Sequence, residues 1–313
     1  VTFIYRRFLT IATVTLVAIC YAVAAPGPSL IPSTASVSHA IVREFAVSKK
    51  SHLRDACHTL AADLHRKLPK DWSVAVRGPF VLGGDYDEAV LEQHYQQTIE
   101  PTARALRVQY FDHLPTGPIT ILLCSSQDSY RECHRRLNEK ERSEYSGIYS
   151  RTNRRVVVNI SDGEGVLAHE LTHALAHADF PDLPEWLDEG LASLHEECEI
   201  SSDGMRLVGL DNWRCHEVLA SLQAKQLRPV RDLAAERFAA TSRASLDYAH
   251  ARSFCLFLQK RQLLEPFYRK CRARNDTDAT GLNSLCELFE TEDCHKIDDQ
   301  FHRWLRGGAK NDN

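Results

Sequence analysis

The chain has 313 residues, with 38 Lys and Arg against 42 Asp and Glu and a formal net charge of −4. That balance excludes the basic footprint of a nucleic-acid-binding domain. With 43% hydrophobic and 26% charged residues, the composition is that of a folded globular protein, long enough to bury a full core divided between two lobes.

Arg6 and Arg7 precede an apolar run from Phe8 to Ala25, and Ala22-Val23-Ala24 offers a small-residue cleavage site before Pro26-Gly27-Pro28. This is the layout of a signal peptide, or of a membrane anchor if it is not cut. Ser38 to Leu68 reads as a helix, with Leu53, Ala56, Leu60 and Leu64 as its apolar stripe and His52, His58 and His65 as surface groups. Trp72 to Leu82 predicts strands broken at Gly78-Pro79. Asp85 to Tyr110 predicts a long helix kinked or broken at Pro101, Pro118 to Cys124 a buried strand, and Asp128 to Leu137 a helix.

Gly147-Ile148-Tyr149 and Val156 to Ile160 read as paired strands around a turn at Thr152-Asn153. Next comes an apolar helical stripe of Val166, Leu167, Leu171, Ala174 and Leu175, capped by Ser161 or Asp162, with Glu164 in its first turn. Pro181 and Pro184 end that helix and begin another, which runs to about Glu197. Ser201 to Gly209 reads as a polar boundary. From Asn212 to Leu305 the pattern is mostly helical, and the end from Arg306 to Asn313 reads as frayed. Strands before helices give an α+β order.

The chemistry concentrates in His169-Glu170-Leu171-Thr172-His173. On a helix the two histidines share a face and can bind one metal ion, with Glu170 beside them as a base. Glu189, in Glu185-Trp186-Leu187-Asp188-Glu189-Gly190, is a carboxylate in an apolar setting that needs a partner. It is the preferred third ligand, and Gly190 allows a neighbouring helix to come close. Asp179 is the weaker alternative. His177 lies about 12 Å along the axis from His169, too far to share one ion, and reads as a solvated group or a support for a ligand. Three protein ligands leave an open position, as catalytic zinc requires.

At these residues, and in Leu183-Pro184-Glu185-Trp186-Leu187-Asp188-Glu189-Gly190-Leu191-Ala192, the chain resembles the gluzincins. Within that superfamily it is most similar to the peptidase MA-like group of bacterial proteins, and more distantly to the aminopeptidase N family. Tyr248 to Leu258 resembles the following helix, where aminopeptidase N-type enzymes carry a catalytic tyrosine. The resemblance runs from about Arg77 to Leu264, and no G-A-M-E-N-type exopeptidase segment accompanies it. It implies a zincin-like fold, with a mixed sheet and an active-site helix followed by a mostly helical C-terminal lobe. It also implies Zn²⁺ held by His169, His173 and Glu189, with Glu170 and Tyr248 catalytic, His250 or His216 being the next donors to consider. In such a fold an edge strand receives extended substrate, and the Gly147–Ile160 hairpin is the candidate.

The expected organisation is a signal peptide or anchor over 1–25, a helical segment over 26–70, a zincin-like lobe over 71–205 and a helical lobe over 206–313. The expected function is an exported (periplasmic, cell-envelope or secreted) bacterial zinc peptidase acting on a peptide or protein substrate, without nucleic acid. Membrane contact is expected only through the N-terminal segment. The alternative is a zincin-fold binding protein with little or no catalysis. Ten cysteines in an exported chain favour disulfides. Local candidates are Cys124–Cys133, Cys198–Cys215 and two of Cys271, Cys286 and Cys294, with Cys255 a buried free thiol.

Overall fold

A computed structural model describes residues 34–138, 145–235 and 242–307, with side chains from 51 onward. The expected leader, which contains the tenth cysteine, and the last six residues lie outside this range. The chain divides at Val47/Ser48 into two compact units. The described part of the first is helical backbone alone, the start of α1 (Thr34–Lys67). Everything below concerns the second unit.

The central sheet has the order β1-β2-β3-β5-β4. It is mixed. Strand β1 (Ser73–Arg77) pairs antiparallel with β2 (Phe80–Gly84), the turn between them carrying a cis Gly78-Pro79 bond. Helix α2 (Glu88–His94), a π turn over Tyr95–Ile99 and α3 (Glu100–Gln109) lead to β3 (Ile119–Cys124), which lies parallel to β2. The single long helix expected over this stretch is therefore interrupted. Pro101 lacks the N–H that an α-helix would use and crowds the preceding turn, and the wide turn before it absorbs the mismatch. Every residue of β3 is buried, as a central strand covered on both faces demands.

Helix α4 (Gln127–Arg136), started by a capping box at Ser126, precedes the hairpin of β4 (Gly147–Ser150) and β5 (Arg155–Asn159). Strand β5 runs parallel to β3, so β4 is antiparallel to its neighbour and forms the sheet's edge. Beneath one face, Cys57, Leu64 and Leu68 from the α1 end pack on Val81, Leu122 and Val157, while His52, His58 and His65 are exposed. The other face carries the main core, with Leu82, Ile121, Leu123, Val156 and Val158.

Helices α5 (Glu164–Asp179) and α6 (Glu185–Glu196) follow. Neither Ser161 nor Asp162 caps α5. Both belong to a 3₁₀ turn, and the cap position is Gly163 at φ +114°, a conformation that strains any residue with a β-carbon. Glu164 instead bonds His94 and Thr98 at 2.9 and 2.7 Å. The expected polar boundary after α6 is a small hairpin, β6 (Cys198–Ile200) and β7 (Leu207–Gly209). The remainder is helical: α7 (Trp213–Gln223), α8 (Val230–Ala235), α9 (Ala244–Lys260), α10 (Leu264–Ala273), α11 (Leu282–Leu288) and α12 (Cys294–Gly307). Among the described residues no helix is long and apolar enough to cross a membrane.

The nine described cysteines are thiols. Cys124 and Cys133 are hydrogen-bonded neighbours, and the Cys286 and Cys294 sulfurs stand 3.0 Å apart. Cys215 receives the Ser253 hydroxyl at 3.4 Å, and Cys255 is fully buried.

Candidate metal centre

Two buried helices and the edge strand build the site. Leu167, Leu171, Ala174 and Leu175 hold one side of α5 in the core, which turns His169, Glu170 and His173 toward α6 and β4. Helix α6 is clamped in turn against α9. A β-carbon on Gly190 would lie 2.7 Å from the Cys255 sulfur and 2.8 Å from the Ala251 carbonyl oxygen, so only glycine permits the approach. That contact fixes the residue before it, Glu189.

His169, His173 and Glu189 come together as a possible metal-binding group. The His169 and His173 Nε2 atoms are 3.1 Å apart, and Glu189 Oε2 stands 3.8 Å from the first and 3.5 Å from the second. For ligand distances of about 2.0–2.1 Å, a tetrahedral ion wants its donors roughly 3.3 Å apart. The triangle therefore fits a small divalent ion without rebuilding.

The outward ring nitrogen of His173 is hydrogen-bonded to a carboxylate, as is usual for a metal-ligating imidazole, and that of His169 has one nearby. His173 Nδ1 pairs with Asp188 Oδ1 at 2.7 Å, and His177 Nε2 holds Asp188 Oδ2 at 2.9 Å. The His177 ring stacks between Tyr149 and His173, with centroids 6.0 and 6.5 Å away. His169 Nδ1 faces Glu196 at 3.8 Å, and Arg214 fixes that carboxylate at 3.0 Å. His173, His177 and Asp188 also have metal-ligand spacing. Both Asp188 oxygens are already engaged there, and that set would leave the convergence of His169 and Glu189 without a purpose.

Electrostatics separates the roles. Burial, helped by the charge on His173, holds His169 down to about 3, so its imidazole is neutral. Burial also opposes charge on His173, but Asp188 and Glu189 outweigh it and keep that ring protonated well above the usual histidine range. Burial pushes Glu170 up to about 7, against the pull of His173 and of a hydrogen bond from the Tyr149 backbone N–H. A buried carboxyl poised near neutrality is what proton transfer at that pH needs. The Tyr248 hydroxyl is hydrogen-bonded to Glu189, and burial followed by that carboxylate's charge raises its pKa.

All five residues singled out from the sequence, His169, Glu170, His173, Glu189 and Tyr248, thus converge. Asp179 is employed elsewhere. Its buried carboxylate accepts the Asp112 and His113 backbone N–H groups at 2.9 and 2.7 Å and the Tyr268 hydroxyl at 3.0 Å, and it pairs with Arg272. His250 is buried, stacked on Phe301 at 5.6 Å, and His216 is exposed. Asp188, Glu196 and Arg214 were not anticipated. Asp188 carries a signal in hindsight: it sits among apolar residues of the same helix as Glu189, where a carboxylate needs a partner just as much. No protein-family model matches the chain, and no curated protein matches it.

Proposed function

We propose that this protein is an exported zinc-dependent peptidase of gluzincin type that hydrolyses bonds in a peptide or protein substrate. The observation that carries the reading is the donor triangle of His169, His173 and Glu189 with Glu170 beside it. Two imidazoles and one carboxylate suit Zn²⁺ better than the all-oxygen sites of calcium or magnesium. A structural zinc site has no use for a buried base at its edge, which favours catalysis over passive binding.

When bound, the ion supplies Lewis acidity toward a carbonyl oxygen and toward water. The chain's own groups do the rest. Glu170 accepts the proton of the attacking water and delivers it to the leaving amine. Asp188 keeps the His173 imidazole oriented, and Glu196 sets a negative charge beside His169. Tyr248, a neutral phenol at working pH, moves its hydrogen bond from Glu189 to the developing oxyanion, a contribution of up to about 2.7–4 kcal/mol for one well-placed donor. Strand β4, as the sheet edge, offers backbone groups to an extended substrate.

The test is digestion of a proteome-derived peptide library. The expected result is cleavage that chelator abolishes, lost in Glu170→Gln with zinc content retained, and lowered about 10- to 1000-fold in Tyr248→Phe. A Glu170→Gln protein as active as the parent would overturn the assignment of the base, and an intact library would overturn the activity.

A further inference from the structure

A cavity adjoins the metal centre and shares His177 with it. It measures about 280 Å³ and is walled by Tyr149, His177, Thr116, Gly117, Arg151 and Arg154. His177 is bound to Asp188, the carboxylate that holds His173, so one side chain separates the cavity wall from a proposed ligand. Its charge comes from the tip of the β4–β5 hairpin. Arg151 is committed to the Pro181 carbonyl and lies 4.0 Å from Asp182. Among the described residues no carboxylate pairs with Arg154.

Two details mark the setting of Arg154. Its guanidinium lies over Gly117, at a position that any β-carbon would invade. Its backbone has φ +47°, a left-handed conformation that costs an ordinary residue about 1–2 kcal/mol and glycine almost nothing. The turn thus carries an arginine where glycine would be the relaxed choice. Both guanidiniums stand close enough to Tyr149 for their charges to bear on its hydroxyl.

The edge strand gives this cavity a place along a substrate. Gly147, at the start of β4, lies against Val166 and Glu170, whereas Tyr149, whose backbone N–H also donates to Glu170, lays its ring on His177 further along α5. Strand β4 therefore runs in the same sense as α5. A peptide added antiparallel to β4, the slightly more stable pairing, passes the cavity before it reaches Glu170.

We propose that this cavity is a specificity subsite for an acidic side chain, Asp or Glu, on the amino-terminal side of the scissile bond, with Arg154 as its determinant. The position along the substrate rests on the peptidase reading, whereas the preference for a carboxylate does not. An arginine fork matches a carboxylate in geometry, and one such contact at an exposed arginine corresponds to a preference of up to about fivefold over the neutral amide.

The test uses the zinc-loaded Glu170→Gln protein and fluorescein-labelled decapeptides of Ala, Ser and Gly. Each carries one Glu or one Gln at a scanned position, and binding is read by anisotropy. The expected result is tighter binding of the Glu member of a pair, abolished in Arg154→Gly, which also relaxes the turn and so preserves folding. Arg154→Glu should reverse the sign toward peptides carrying Lys. Equal or undetectable binding of both members, or a preference that survives Arg154→Gly, overturns the subsite. Sequencing of products from the parent enzyme tests the position separately, and acidic residues only after the cut would overturn it. A parent enzyme that binds with this preference and cleaves nothing defeats the peptidase reading and leaves the carboxylate site standing.

Discussion

Removing the Asp188 carboxylate perturbs the metal centre without touching a proposed ligand. In Asp188→Ala, His173 loses its 2.7 Å partner and His177 its 2.9 Å partner. Loss of such an outer carboxylate weakens metal binding about 10- to 100-fold, or roughly 1.4–2.7 kcal/mol. A second effect opposes this one. Asp188 also stabilises the proton on His173, which zinc must displace. Without Asp188 the His173 pKa falls and the proton competes less. The deficit of the variant should therefore be largest near pH 8.5 and should narrow as the pH drops. Asp188→Asn, which keeps an acceptor for the ring N–H, should fall between the two. The assay is competition for zinc against a chromophoric chelator, with circular dichroism of the metal-free proteins as a folding control. An Asp188→Ala protein that binds zinc as tightly as the parent at pH 8.5 would refute the supporting role.

Zinc binding at pH 7 should expel between about one and two protons, one from His173 and a fraction from Glu170, while His169 is already neutral. Calorimetry in buffers of different ionisation enthalpy measures this, and a binding enthalpy independent of buffer contradicts it. In the metal-free protein both raised groups stabilise the fold at acid pH. The Glu170 contribution is complete below the unfolded value of 4.5 and disappears as pH rises through about 7. Chelator-treated protein should accordingly lose melting temperature across that window, and Glu170→Gln should lose less. Gly190→Ala forces a methyl group against Cys255 and Ala251. The expected cost is about 1–3 kcal/mol, or roughly 2–12 °C in Tm, and an unchanged Tm would show that α6 and α9 can part freely. In a glutathione redox buffer Cys286 and Cys294 should couple first, whereas buried Cys255 stays reduced. Peptide mapping that finds Cys286 and Cys294 separately alkylated goes against this.

Much of the site was legible because its chemistry is local. His169, Glu170 and His173 fall within one helical turn, and Glu189 announces itself as a carboxylate among apolar neighbours. The hairpin of β4 and β5 showed in its β-branched run Val156-Val157-Val158. What escaped depends on contacts distant in sequence. Asp188 and His177 are eleven residues apart, and Asp179 meets Tyr268 across 89. Periodicity carries no such pairing. The short strands β6 and β7 were missed because three residues are too few to display a period of two. The α5 cap was misassigned because Gly163 opens the helix by backbone conformation rather than by a side-chain acceptor.

The Asp179 clamp fixes one end of α5. Its carboxylate, at the last residue of α5, gathers donors from the loop after α3 and from α10. Removing one partner of a buried ion pair of this kind costs about 3–5 kcal/mol, because it leaves the other charge buried and uncompensated. The carboxyl-terminal end of α5 is thereby pinned at once to the loop after α3 and to α10, so a change at Asp179 reaches three segments that are far apart in the sequence.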